Sequence, residues 1–388
     1  MSDRLMLSDI TVIELGHSVA APYACQILGD LGADIIKVEK SDGDDARKWA
    51  PPYWGGMSAI FQSLNRNKRS IVIDLRDPAA NRRLKQLIID RADVVVQNLR
   101  PGSAAALGLD AKTLCALKPS LIYSTIGAFG AIGPLKDKPG YDPLMQAFAG
   151  LMSVTGEPNS RPVRVGTSII DMAAGMWSVI GIVSALVQRA SHGRGAVIET
   201  SLYETALAWM ATHAATFQAS GEIPQRQGTG VGQIVPYRGY VTKDGFMVVG
   251  AGNDKLFELF AGVLGHPEWK DDPRFQTNPD RVKHQSVLYE MIEAVMATRS
   301  NAEWQVALDA AGLPSAPMQS IDQVLAHEQT RALEIVQKSP DGAISLVGLP
   351  LSFDGQRPPF RLSPPDIGAD TEQVLGPLDA MNLKSSRV

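Results

Sequence analysis

The chain is poor in features on which several classes of protein depend. Only two of its 388 residues are cysteines, Cys25 and Cys115, and both lie inside apolar runs. This argues against a disulfide framework and favours two free thiols in a reducing compartment. Positive charge is not in excess, since 37 Lys and Arg oppose 41 Asp and Glu for a net charge of -4. Generic attraction to nucleic acid or anionic lipid therefore has no basis, and an anionic ligand must meet a local cluster of cations.

Long apolar segments are also scarce. The longest uncharged stretch, residues 172–188, contains glycine and serine and falls short of the roughly 18 to 20 apolar residues of a membrane span. We expect a buried helix there and no membrane partner. The first ten residues carry charges where a signal peptide needs an apolar core, so we expect a cytoplasmic protein.

Signatures of several common sites are missing. The six histidines are scattered, without the spacing or cysteine partners of a metal site, so we expect no metal. There is no GxSxG elbow and no Walker A lysine. The segment 250–254 follows a strand-like run, but it lacks the third glycine of a dinucleotide fingerprint and follows an apparent hairpin. A mobile glycine loop is favoured there, and a nicotinamide-dependent dehydrogenase is the alternative.

What the chain does contain is typical of a globular α/β protein of about two domains, at 45% hydrophobic and 20% charged residues. Runs rich in Val and Ile alternate with helix-compatible segments, which predicts a mostly parallel sheet with helices on both faces. We therefore expect a Rossmann-like large domain over residues 1–220. A hairpin with Asp244-Gly245 at its turn begins a smaller α+β domain over residues 221–325, and residues 326–388 return to the large domain.

The predicted sheet also predicts where a ligand binds. Ligands of open parallel sheets bind at the carboxyl ends of the strands. Cations cluster near predicted strand ends, which favours a polyanionic phosphate ligand over a merely solvated surface. These cations are Lys37, Lys40, Arg47, Lys48, Arg66, Lys68, Arg69 and Arg100.

Asp171 is the one charged residue between Arg164 and Arg189 and begins a long helical run. The favoured interpretation from the residues alone is a helix N-cap, since Asp accepts backbone N–H bonds there. The alternative is a carboxylate nucleophile toward an acyl carbon. The two roles are compatible.

Several ordered blocks resemble the class III CoA-transferases, a family that includes formyl-CoA transferase, carnitine CoA-transferase and the α-methylacyl-CoA racemases. The blocks are ELGHSVAAPYACQILGDLGADIIKVEK, NRNKRSIVIDL, VVVQNLRPG, PGYDPLMQAFAGLMSVTGEP and VGTSIIDMAAG. The run GQIVPYRGYVTKDGFMVVGAGND is most similar to succinyl-CoA dependent glutarate and other dicarboxylate enzymes. The resemblance implies a transferase that forms an interlocked homodimer and needs no cofactor beyond CoA ester substrates.

The resemblance also implies residue roles. Asp171 matches the family nucleophile, which forms an aspartyl-CoA thioester. Racemases have a histidine where this chain has Tyr141, so a racemase is a less favoured alternative, and a silent acyl-CoA binding protein is another. The implied CoA and substrate contacts are His17, Lys40, Ile73, Asn98, Leu99, Arg100, Lys138, Gly140, Tyr141, Asp142, Gly250 and Gly252.

Overall fold

Strands and helices alternate through the first part of the chain, as the hydrophobic pattern predicts. The structure is a computed structural model that describes residues 5–376. A 3-10 turn at Asp45–Lys48 interrupts the alternation. The elements in order are β1 (Thr11–Leu15), α1 (Ala20–Asp30), β2 (Asp34–Glu39), β3 (Tyr53–Trp54), β4 (Met57–Ser58), α2 (Ala59–Leu64), β5 (Lys68–Val72), α3 (Pro78–Arg91), β6 (Val94–Gln97), α4 (Ser103–Ala106), α5 (Ala111–Leu117) and β7 (Ile122–Gly127).

The rest of the chain is mainly helical with short strands. Helices and strands follow in the order α6 (Asp142–Phe148), α7 (Leu151–Val154), α8 (Ile169–His192), β8 (Val197–Ser201), α9 (Leu202–Trp209), α10 (Ala211–Ser220), β9 (Tyr237–Val241), β10 (Phe246–Gly250), α11 (Asp254–Val263), α12 (Asn278–Lys283), α13 (Gln285–Met296), α14 (Asn301–Ala310), β11 (Ser315–Pro317), α15 (Ile321–Ala326), α16 (Glu328–Ala332), β12 (Val336–Lys338), β13 (Ser345–Val347) and α17 (Thr371–Leu375).

Six strands form one parallel sheet in the order β5-β2-β1-β6-β7-β8. Many of its residues are apolar and buried, among them Ile13, Ile36, Ile71 and Val95. Because such strands are buried on both faces, their sequences contain continuous runs of Val and Ile rather than an alternation of polar and apolar residues. The predicted α/β class with a Rossmann-like sheet is confirmed.

The sheet has a switch point between β1 and β6. Strands β2 and β5 extend from one side of β1, while β7 and β8 extend beyond β6 on the other. The connections after β1 and β6 therefore diverge and leave a crevice at their carboxyl ends, the usual ligand position in this architecture.

The longest uncharged stretch lies in helix α8, and the expectation that it is too short for a membrane span is corrected. The helix is 24 residues long, with a window of mean hydropathy 1.8, so among the described residues it alone is long and apolar enough to cross a membrane by length and composition. The core helix of a soluble protein meets the same criterion. The buried residues of α8, such as Ala174 and Ile182, belong to a face that packs against α1 and β7.

The described chain divides into two compact units. The first comprises the described residues up to Ala149, Val165–Ala214 and those from Glu328 onward, and the second comprises Gly150–Arg164 and Ala215–His327. In the second unit β9, β10 and β11 form an antiparallel sheet. The predicted hairpin around Asp244 is confirmed, with Val248 opposite Gly239. Gly250 therefore ends an antiparallel strand and does not belong to a βαβ unit.

Candidate active site

A cavity of about 1010 Å³ opens at the carboxyl ends of the parallel strands. Every residue that lines it belongs to the first unit. Its walls include residues just after four strands, namely His17 after β1, Lys40 after β2, Ile73 after β5 and Asn98 after β6. The structure thus brings together side chains up to 81 positions apart in sequence, as the predicted sheet requires.

His17 and Asn98 meet across the switch point. The Asn98 side chain accepts from the His17 backbone N at 3.0 Å and donates to the His17 backbone oxygen at 2.9 Å. The His17 ring lies 3.0 Å from Ser18 Oγ. Burial lowers the pKa of His17, and the nearby Asp44 and Asp45 carboxylates only partly oppose this. A neutral imidazole is therefore held in the cavity wall at neutral pH.

Four cations line the cavity, and they differ in their partners. Lys40 lies 3.0 Å from Asp45, and this hydrogen bond raises the pKa of Lys40. Arg76 pairs with the neighbouring Asp74. Within residues 5–376, the side chains of Arg100 and Lys136 form no ion pair, so both are available to an anionic ligand. Leu99 also lines this wall.

Sequence reasoning missed Arg76 and Lys136. Arg76 follows the strand that ends at Val72, and Lys136 is two positions from the predicted Lys138. Lys138 is exposed and is not among the described residues lining the cavity. The structure therefore does not place Lys138 in the cavity wall; its backbone N donates to Leu135 O at 2.9 Å in the turn after Gly133.

Most of the predicted basic cluster is structural rather than ligand-facing. Arg47 forms two hydrogen bonds with Glu39, and Arg66 forms two with Asp30. Arg69 pairs with Asp34, while Lys37 and Lys68 both contact the buried Glu14. Buried cations are retained only where carboxylates compensate their desolvation, and sequence spacing did not reveal those partners.

Asp171 lines the cavity but is not the helix N-cap. Helix α8 starts at Ile169, which makes Asp171 its third residue, and the N-cap Ser168 makes no side-chain cap hydrogen bond within the described chain. The predicted capping role is therefore wrong. Asp142 performs it from the start of α6, since its Oδ2 accepts from Ile170 N at 2.7 Å and Asp171 N at 3.2 Å.

Asp142 is itself buried, with 1% of its surface exposed, and is not among the described cavity-lining residues. The structure therefore does not place Asp142 at the cavity surface, and both its carboxylate oxygens accept hydrogen bonds from other residues. Gln146 donates to its Oδ1 at 2.6 Å, while the oxygen of the Gln146 amide accepts from Val165 N. Asp142 thus fixes the backbone that carries Asp171.

The carboxyl group of Asp171 is unusual in having no hydrogen bond or ion pair with any residue in the described ranges. Burial raises its pKa from 3.8 to about 7, and the negative charge of Asp142 adds to the rise. The side chain is nevertheless half-buried rather than enclosed. A carboxylate that is poorly solvated, unpaired and reachable from a cavity is suited to nucleophilic attack.

Gly140 and Tyr141 line the cavity beside Asp171. A Cβ on Gly140 would lie 2.5 Å from the Met145 methyl and 3.0 Å from Ala128 Cβ, so a larger residue there would have to displace both side chains. Tyr141 is 56% exposed. A phenol is a weak proton acceptor at neutral pH, so this position offers no second base of the histidine kind.

Gly250 and Gly252 belong to the second unit. There Asn253 caps α11 by accepting from Leu256 N at 2.9 Å. Across residues 5–376 no group of three or more His, Cys, Asp and Glu side chains is placed to hold a metal ion. Cys25 and Cys115 are free.

Comparison with known proteins decides the family. CoA-transferase family III matches residues 7–371. The chain belongs to this family. Mouse succinyl-CoA:glutarate CoA-transferase is 34% identical over 373 residues, covering 95% of this chain and 85% of its own. Succinate–glutarate CoA-transferase of Agrobacterium fabrum is 34% identical over 386 residues, covering 97% and 96%.

Solved structures agree with this assignment. The crystal structure of a CaiB/BaiF family protein from Brucella suis is 33% identical, with a TM-score of 0.87 over 96% of this chain and 99% of its own. The predicted recognition of the family from the sequence blocks is therefore confirmed. The chain is a family III CoA-transferase, with acyl-CoA and acid substrates implied by its relatives.

Proposed function

We propose that this CoA-transferase moves CoA from succinyl-CoA, or another dicarboxyl-CoA, to a carboxylic acid through a thioester on Asp171. The observation that carries the proposal is the unpaired, half-buried Asp171 carboxyl in a 1010 Å³ cavity at the strand ends. The names of the two glutarate enzymes described above support dicarboxylate substrates.

The chemistry is a sequence of acyl transfers that consumes no group of the enzyme. The Asp171 carboxylate attacks the donor thioester carbonyl, which gives a mixed anhydride and CoA thiolate. The thiolate attacks the aspartyl carbonyl, so the free donor acid leaves and an aspartyl-CoA thioester remains. The acceptor carboxylate attacks this thioester and forms a second anhydride and thiolate. Attack of the thiolate on the acceptor carbonyl yields the new acyl-CoA and restores Asp171.

The positions of the cations support one orientation for CoA. Its phosphates face Arg100 and Lys136, which have no competing partner within the described chain, with Lys40 and Arg76 nearby in the wall. His17, Ile73, Asn98 and Leu99 border the adenosine and pantetheine path. The thioester then lies toward Gly140, Tyr141 and Asp171. No cofactor beyond the CoA esters is needed.

The two anhydrides hydrolyse readily, so water must be kept from the site while they exist. That Gly250 and Gly252 contact the substrate stays a prediction from the family resemblance.

We also propose that two chains form an interlocked homodimer. Helix α8 presents an apolar face with Met176, Trp177, Ile180 and Val187 all at least 45% exposed in the single chain. Such a face is more typical of an interface than of a solvated surface. Dimer mass that persists on dilution to nanomolar protein supports this arrangement, and a monomer contradicts it.

The test of the proposed function mixes the purified protein with succinyl-CoA and a panel of mono- and dicarboxylic acids. New acyl-CoA masses that appear only with particular acids support the proposal and name the acceptor. If CoA esters bind but none is exchanged, the protein is a silent binder. Deuterium entering the α carbon of a 2-methylacyl-CoA in heavy water, without any acceptor acid, would instead identify a racemase.

A further inference from the structure

A buried charged network lies directly behind one wall of the cavity. Lys37, within β2, is 0% exposed, and its ammonium has three oxygen partners. These are Glu14 Oε1 at 2.7 Å, Asp44 Oδ2 at 2.8 Å and the Gly16 backbone oxygen at 3.0 Å. Gly16 and Asp44 line the cavity, whereas Lys37 is not among the described residues that do so.

The network holds the loop after β1 on both sides of His17. Lys37 holds Gly16, the residue before His17. Asp44 holds Ser18, the residue after it, because Asp44 Oδ1 accepts from Ser18 N at 3.0 Å. Ser18 has a φ of +68°, a conformation that a non-glycine residue keeps only when its surroundings impose it.

The same network fixes the loop after β2. Asp44 caps the turn at Asp45–Lys48 by accepting from Ala46 N at 2.9 Å, and its own backbone N donates to Glu39 Oε2 at 2.8 Å. One ammonium thus joins two loops that form adjacent parts of the cavity wall. The loop after β6 is joined to the loop after β1 separately, through the hydrogen bonds between the Asn98 side chain and the His17 backbone.

A second buried lysine offers an internal comparison. Lys68 lies 2.9 Å from the other oxygen of Glu14, and it also donates to Pro22 O at 2.7 Å and Asn65 Oδ1 at 2.9 Å. Pro22, Asn65 and Lys68 are not among the described residues that line the cavity. The two lysines therefore share burial and a carboxylate, but only Lys37 reaches the loops of the site.

We propose that Lys37 is a positioning residue for CoA ester binding, acting through Gly16 and Asp44 to hold His17 and the two flanking loops in their binding geometry. This inference rests on the proposed function. Burial by itself disfavours the Lys37 ammonium, but the charges of Glu14, Asp44 and Glu39 outweigh it and raise the pKa of Lys37. The pKa of Lys68 is instead lowered, chiefly by burial. The lysine that contacts the loops is the one that holds its proton more firmly.

The test compares Lys37→Met with Lys68→Met in the full-length protein, using calorimetric titration with CoA and steady-state kinetics with the active CoA ester. Both variants lose one ammonium beside Glu14, so both should unfold at lower temperature than the unmodified protein. Lys37→Met should weaken CoA binding and raise KM by roughly tenfold or more, with kcat changed far less, since Asp171 is held by other residues. Lys68→Met should keep CoA affinity within about twofold of the original. Equal losses of affinity in the two variants, or unchanged affinity in Lys37→Met, would overturn the proposal.

Asp44→Asn decides the matter if Lys37→Met does not fold. The asparagine keeps an oxygen for Ser18 N but cannot accept from Lys37 with its amide nitrogen. Loss of a negative charge from the cavity wall would by itself strengthen the binding of polyanionic CoA. Weaker binding in Asp44→Asn therefore supports positioning, and unchanged or tighter binding overturns it. If the unmodified protein binds no CoA ester, the proposed function itself has failed; if it binds and these variants bind equally, only the role of Lys37 has failed.

Discussion

Replacing Asp171 by asparagine should stabilise the protein at neutral pH while it abolishes transfer. The carboxyl makes no hydrogen bond with the described residues, so the substitution loses no hydrogen bond, and it removes a charge that burial disfavours. The rise in the pKa of Asp171 from 3.8 to about 7 corresponds to about 4 kcal/mol, at about 1.4 kcal/mol for each tenfold change in acid dissociation.

The pH dependence has a definite direction. Because the folded protein holds the Asp171 proton more tightly than the unfolded chain, the folded state binds more protons between about pH 4 and 7. Ionisation of Asp171 therefore lowers the free energy of unfolding as pH rises through that window. Asparagine does not ionise, so the variant does not lose stability in this way. The stability advantage of Asp171→Asn should grow from about 1 kcal/mol at pH 4.5 to about 4 kcal/mol at pH 8.

Urea unfolding of both proteins at these two pH values, at one fixed protein concentration, measures the advantage. Asp110→Asn is the matched control. Burial alone would raise the pKa of Asp110, but the hydrogen bonds from Thr113 outweigh it and lower the pKa. That carboxylate stabilises the fold above its unfolded pKa, so Asp110→Asn should lose stability relative to the unmodified protein as pH rises. An advantage of Asp171→Asn that stays constant or shrinks with rising pH would refute the electrostatic account of Asp171.

Three further outcomes are expected. Asp142→Asn removes a negative charge that raises the pKa of Asp171. In a plot of transfer rate against pH, the acid limb should therefore move to lower pH. An unmoved limb would show that burial alone raises the pKa of Asp171. Arg100→Ala should weaken CoA binding by roughly 1.5 to 3 kcal/mol in a calorimetric titration, as for a charge-assisted phosphate contact, whereas Lys138→Ala should leave it unchanged. Lys136→Ala should also weaken CoA binding, and the affinity of this variant should depend less on salt than that of the unmodified protein. Equal effects of Lys136→Ala and Lys138→Ala on CoA affinity would contradict the orientation proposed for CoA.

The parallel sheet was predictable from the sequence because its strands are buried on both faces. Continuous runs such as residues 94–97 have no alternating polarity to obscure them. The alternation of such strands with helices predicted a site at the strand ends, where His17 and Asn98 are hydrogen-bonded to each other. The start of β5 is harder to predict, since the strand begins at Lys68 and a buried lysine is not typical of a strand start.

The partners of charged side chains could not be predicted in the same way. Lys37 and Arg47 look like ligand-binding cations in sequence, but their carboxylates are brought to them by the fold. The cap of α8 shows the same limit. Ser168 and Asp171 are local candidates, whereas the actual cap, Asp142, comes from a helix 28 positions away. Side-chain pairing over such distances depends on packing that no local pattern encodes.

Trapping the covalent intermediate tests the central claim most directly. The unmodified enzyme is incubated with succinyl-CoA, or with whichever CoA ester proves active, and treated with hydroxylamine or borohydride before peptide mass mapping. The account predicts modification at Asp171 alone, dependent on the donor, and none in Asp171→Asn. A donor-dependent modification at another residue, or substantial turnover by Asp171→Asn, would contradict the proposed aspartyl-CoA mechanism.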